Sequence, residues 1–168
     1  MRALAHLSPS YIINRIKFEC YQRCHADEPW LTKDAIWILK NILKETDIGA
    51  EFGSGRSTAW FAKRLEHLTS VENNESWYAK VKTDLNTQSL LKKVDYIYAL
   101  TDEDYSAVAH KFKNNSLDFA LVDGACRDLC ALNLISKIKS GGVLVVDNVN
   151  WYLPNPESKS PAAMAHHT

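Results

Sequence analysis

Two carboxylates flank a glycine turn in this chain. The stretch Ile48-Gly49-Ala50-Glu51-Phe52-Gly53-Ser54-Gly55-Arg56-Ser57-Thr58 is followed by Val71-Glu72. It reads as a short apolar strand, a tight turn, a helix start, and an acid at the end of the next strand. Gly53 and Gly55 let the backbone turn and approach a ligand without side-chain interference, with Ser54 between them. Ser57 or Thr58 carries a hydroxyl placed to cap the helix and to bond the ligand. Glu72 lies 19 residues after Gly53. A carboxylate there accepts two hydrogen bonds at once, which suits the paired hydroxyls of a ribose.

The residues also discriminate between ribose-bearing cofactors. A dinucleotide turn reads Gly-x-Gly-x-x-Gly, with a pyrophosphate over the helix N-terminus. The third glycine would fall at Thr58-Ala59 and is absent, which argues against an NAD-type oxidoreductase. Glu51, two residues before the first glycine, repels a pyrophosphate but accepts bonds from an ammonium. A cofactor with a ribose, an amine and no phosphate fits better, and S-adenosylmethionine has those properties.

These residues need elements to hold them. Strands are predicted at 48–52, 68–72, 94–99, 117–123 and 142–147, and helices at 56–66, 75–86, 103–113 and 127–139. Each strand is a short apolar run, as expected when both faces are covered, and each link is long enough for a crossover helix. The pattern is that of an α/β fold, a parallel sheet wrapped on both faces by helices. Gly141-Gly142 after Lys137 and Lys139 reads as a helix stop. Four strand ends then carry polar residues toward one edge: Glu51 to Gly53, Glu72, Asp123, and Asp147-Asn148. Ligands of open α/β sheets bind outside that edge. Upstream, residues 9–23 read as a helix with Tyr11, Ile12, Ile16, Cys20 and Tyr21 near one face, packed on the main domain or a partner. Thr32 is the expected N-cap of a second helix ending near Glu45.

Glu51-Phe-Gly-Ser-Gly55, Val71-Glu72, the Leu117-to-Asp123 strand and Gly141-Gly-Val-Leu-Val-Val-Asp147-Asn148 resemble class I S-adenosylmethionine-dependent methyltransferases over roughly residues 30 to 150. Asp123 and Asp147-Asn148 look like the small O-methyltransferases related to catechol O-methyltransferase. The resemblance implies a three-layer Rossmann-like fold. It implies Gly53 and Gly55 at the methionine part of the donor, Glu72 on the ribose and Asn73 near adenine. Ser57 stands where the third glycine of the family motif often falls. It further implies a magnesium ion on Asp123, Asp147 and Asn148, drawing an acceptor hydroxyl toward the methyl donor. Relatives carry a lysine base three residues after the first aspartate. Here that position is Cys126, followed by Arg127, which stays protonated and is a poor base. Asp123 is therefore expected to contact the donor's amino group or to act as the acceptor-side base. Arg127 and Asp128 read as helix-start charges.

Relatives also have two further strands after the fifth. Only 21 residues follow Asp147, and they are Pro-rich and weakly apolar. The chain reads as a single domain over 1–153, with N-terminal helices over 1–46, an α/β core over 47–150, a flexible tail over 154–168, and the last family strands missing. An open sheet edge would favour a homodimer. The competing reading is a shortened, non-catalytic module that holds the cofactor or a partner. Trp30, Leu31 and Trp37 are candidates for a lid over the donor. Trp77, Tyr78, Trp151 and Tyr152 are candidates for the acceptor wall or the core.

Bulk composition agrees with one soluble globular domain. The chain has 168 residues, 46% of them apolar, with 20 basic and 20 acidic side chains. Zero net charge gives no global draw toward nucleic acid or an anionic membrane. No run of 18 apolar residues is present, and residues 1–10 lack the apolar region of a signal peptide, so a cytoplasmic protein is expected; the resemblance to the small O-methyltransferases implies a small-molecule acceptor. Cys20/Cys24 and Cys126/Cys130 each have i,i+4 spacing. Reduced thiols are the expected state, a zinc site using both pairs the sharper alternative.

Overall fold

A computed structural model of the chain describes residues 9–149. The five apolar runs are strands: β1 (Ile48–Phe52), β2 (His67–Glu72), β3 (Val94–Tyr98), β4 (Leu117–Val122) and β5 (Ile138–Val146). Neighbours are all parallel, in the order β3-β2-β1-β4-β5. The chain steps outward from β1 to β3, then returns to lay β4 on the other side of β1. The crevice between β1 and β4 is therefore the switch point of the sheet, where open α/β folds bind ligands.

Helices α1 (Pro9–Cys24), α2 (Lys33–Ile42), α3 (Arg56–Ala62), α4 (Glu75–Thr87), α5 (Asp102–Ala107) and α6 (Arg127–Ile135) complete the described chain. Thr32 does cap α2, its hydroxyl accepting from Ala35 N at 3.3 Å. Alternation along the strands separates two apolar layers. Ala50, Phe52, Ala120 and Val122 pack with Tyr105 of α5 and with Cys130 and Leu134 of α6. On the opposite face Phe61 of α3 lies 4.7 Å from the Phe119 ring, and Gly49 makes room for Leu65. Residues 27–147 form one compact unit, and α1 belongs to another. Within α1, Arg15 pairs with Glu19 at 2.6 Å, and Tyr21 stacks on His25 just beyond its end.

Several boundaries differ from the sequence reading; α2, expected to end near Glu45, ends at Ile42. The expected helix 56–66 stops at Ala62, because Arg64 N and Leu65 N both turn back to Phe61 O and place Leu65 in the core. The helix expected over 103–113 gives way after Ala107 to a 3₁₀ turn, Val108–Lys111. Gly141-Gly142 is not a helix stop. α6 ends at Ile135, and both glycines lie inside β5. Between the pairs Leu117–Ile138 and Phe119–Val143, β4 advances two residues while β5 advances five, which is a bulge. Gly141 takes φ +83, and a Cβ on Gly142 would sit 2.9 Å from Asp118 O, so glycine is what lets β5 bend against β4.

Candidate functional site

The β1–α3 loop and the β4–α6 loop are locked together. Asp123 N and Gly124 N both donate to Phe52 O, at 2.8 and 2.7 Å. Gly53 has φ +107, and a Cβ there would meet Gly124 N at 2.5 Å. The turn thus requires glycine twice over, for its backbone angle and for the contact.

Below the loop lies Glu51, 0% exposed. Its Oε2 accepts from Thr58 Oγ1 at 2.6 Å and Ser70 Oγ at 2.7 Å, tying α3 to β2. The Thr58 hydroxyl in turn accepts from Gly55 N at 2.9 Å, so Thr58 is the capping residue of the Ser57/Thr58 pair. Oε1 of Glu51 has no hydrogen-bond partner. Burial pushes its pKa up to about 7, against hydrogen bonds from Ser57, Thr58 and Ser70, with the Asp123 charge adding to the rise. Glu51 is therefore an inward anchor of the turn with one unsatisfied oxygen.

Glu72, 6% exposed, uses both oxygens. Oε2 accepts from Ser54 N at 3.1 Å and Ser54 Oγ at 2.8 Å, and Oε1 from Asn73 N at 3.0 Å and Asn74 N at 2.8 Å. Those four bonds fill the four lone-pair positions of a carboxylate. Ser54 is held further by Tyr96 Oη at 2.7 Å, and its carbonyl accepts from Trp77 Nε1 at 2.7 Å. Tyr96 stacks on Tyr78, and burial raises its phenol pKa. Asn73 is half-buried beside this web, while Asn74 caps α4 through Trp77 N. Trp77 thus belongs to the glycine loop, and Arg56 lies over the Trp30 ring at 5.1 Å beside it.

At the ends of β4 and β5 the chemistry is carried by Asp123, Asp147 and Arg127. Burial comes first in pushing Asp123 up to about 7; the Asp147 charge raises it as well, and Arg127 opposes. Arg127 is no helix-start charge on the surface. It is 7% exposed, and donates from Nε to Gly124 O (3.0 Å), from Nη1 to Asp147 O (2.8 Å) and from Nη2 to Asp123 O (2.6 Å), with Asp123 Oδ1 at 3.1 Å from Nη2. Asp147 N donates to Val122 O, which brings the two acidic strand ends side by side. Asn148 follows with φ +50. Cys126 caps α6 in the left-handed region, its sulfur 3.8 Å from that of Cys130. All four cysteines are free thiols. Among the described residues no group of three or more His, Cys, Asp or Glu is placed to hold a metal ion. Trp151 and Tyr152 lie outside the described residues.

Sequence reasoning gave Arg127 too little weight and missed Tyr96. Arg127 carried a usable signal, a guanidinium four residues after Asp123 at a helix start. Tyr96 carried none, because its contact with Ser54 spans 42 residues.

A five-stranded parallel sheet with this order, a glycine turn after β1 and an acid at the end of β2 define the class I S-adenosylmethionine-dependent methyltransferase fold. Residues 50–149 match the family model described as "Methyltransferase domain", and the chain belongs to that family. No curated protein sequence matches the chain. Among solved structures it is similar to a precorrin 8W decarboxylase from Methanobacterium thermoautotrophicum, at 17% identity and TM-score 0.58, over 69% of this chain and 62% of that one. It is similar to an rRNA methylase from Streptococcus thermophilus, at 15% identity and TM-score 0.54, over 64% of each chain. It also resembles an S-adenosylmethionine-dependent O-methyltransferase from Thermotoga maritima, at 18% identity and TM-score 0.54, over 71% of this chain and 44% of that one. The chain thus spans less than two thirds of the length of each of these three. Among the described residues no helix is long and apolar enough to cross a membrane.

Proposed function

We propose that the chain binds S-adenosylmethionine at the β1–β2 end and transfers its methyl group to an oxygen of a small molecule held near Asp123. The observation that carries this reading is the convergence of Glu51 and Glu72 on one glycine loop at the switch point of the sheet. Glu72 takes the ribose hydroxyls, exchanging the bonds it makes to Ser54. Gly53, Ser54, Gly55 and Ser57 line the methionine part, and Asn73 the adenine. The unpartnered Oε1 of Glu51 is the acceptor that an ammonium would satisfy. Asp123, with its pKa near neutrality, takes the acceptor proton as the methyl transfers in line, so catalysis is mostly positioning. Zero net charge favours a small acceptor over a nucleic acid. The same balance, with no membrane-spanning helix among the described residues, supports a cytoplasmic site of action.

Calorimetric titration with S-adenosylhomocysteine and with NAD tests the donor. Heat with the first and none with the second is expected, and the opposite pattern overturns the reading. Transfer of labelled methyl to a panel of phenols and to RNA tests the acceptor; labelling of RNA alone would remove the small-molecule assignment.

A further inference from the structure

Four oxygens converge on one cation at the C-terminal ends of β4 and β5. They are the carbonyls of Asp123, Gly124 and Asp147 and the Oδ1 of Asp123, all within 3.1 Å of an Arg127 nitrogen. An all-oxygen set with a carboxylate is what a hard divalent cation selects. Two acidic side chains in contact at the same place add to that preference. Yet the set is already taken by a guanidinium, which keeps its charge at any working pH and presents its donors in a fixed plane. A divalent ion reaching Asp123 Oδ1 would meet that charge at 3.1 Å, with the carbonyls beside it engaged. The residues present do not fit magnesium.

We propose that Arg127 fills, from within the chain, the cation position between the β4 and β5 ends, so that this end of the sheet is held and charge-balanced without a divalent metal. Arg127 is a positioning residue. It joins β4, β5 and the first turn of α6, and holds one oxygen of the Asp123 carboxylate in place. A lysine would not replace it, since a single ammonium cannot reach three carbonyls and a carboxylate at once. The consequence for the acceptor rests on the proposed methyl transfer. The cation binding does not, so the two fail separately.

Manganese binding followed by electron paramagnetic resonance, with thermal melting in magnesium or chelator, reads the site directly. The wild-type chain is expected to bind Mn²⁺ no tighter than about 1 mM, and to melt at the same temperature with either addition. Arg127→Ala vacates the oxygen set, and should gain Mn²⁺ affinity by roughly ten-fold or more and become stabilised by magnesium. Arg127→Lys should gain less. Tight Mn²⁺ binding by the wild type would overturn the proposal even if Arg127→Ala does not fold. So would a folded Arg127→Ala protein with no gain over the wild type.

Discussion

The glycine loop after β1 and the acidic loop after β4 press on each other, yet they satisfy their polar groups by opposite means. Around Glu72 the work is shared. Ser54, Asn73, Asn74, Tyr96 and Trp77 hold one another, and no single bond carries the loop. Around Asp123 one side chain, Arg127, ties both strand ends, donating to Asp123 O and to Asp147 O. A shared web tolerates exchange of one partner for a ligand group. A single clamp fixes geometry and charge together, and its loss is felt at once.

Substitutions at the shared contact between the loops break this comparison most directly. Gly53→Ala forces a left-handed φ on an L-residue and drives a Cβ into Gly124 N at 2.5 Å. A loss of about 4 kcal/mol in urea unfolding is expected, and a loss below about 1 kcal/mol would mean that the loops are not interlocked.

Glu51 gives the next largest effect. Its pKa is raised from 4.5 unfolded to about 7 folded, so the folded chain holds the extra proton between those values. The stability present below pH 4.5 is lost as pH rises through about 7. Glu51→Gln removes this slope, worth about 3 kcal/mol, and should leave a flatter stability profile between pH 4.5 and 7. An unchanged profile would assign the slope to Asp123 instead.

Glu72→Ala sharpens the donor side: S-adenosylhomocysteine affinity should fall by about 2 kcal/mol in calorimetry. Ser54→Ala is the mildest change. It removes a hydroxyl that bonds Glu72 and Tyr96, and should cost about 1 kcal/mol of stability while leaving donor affinity equal or slightly better. A marked fall in affinity would show that Ser54 stays on Glu72 in the bound state.

The strands and the acids at their ends were legible because short apolar runs separated by helix-length links leave little choice of element, although the edge strands β3 and β5 are only partly buried. Glu51, Glu72, Asp123 and Asp147 all lie at the C-terminal edge for that reason. The Gly141-Gly142 pair was misread because a helix stop and a strand bulge ask for the same residue. Arg127 was misread because local pattern places it on a helix start, whereas its partner Asp147 lies 20 residues on and is brought near only by the β4–β5 register. Burial of Glu51 likewise depends on Ser70, 19 residues away on another strand.

That register has a consequence for how the chain can vary. The bulge at Gly141 is a spacer whose length sets where β5 arrives, about 20 Å further on, at Asp147. Surface loops absorb a lost or added residue with little effect. Here a single deletion would move Asp147 by one step, about 3.3 Å, and turn its side chain to the other face of the sheet. Arg127 would then grip the wrong carbonyl. The phase of a quiet stretch at the far end of the strand is thus as much a part of the site as the residues that line it.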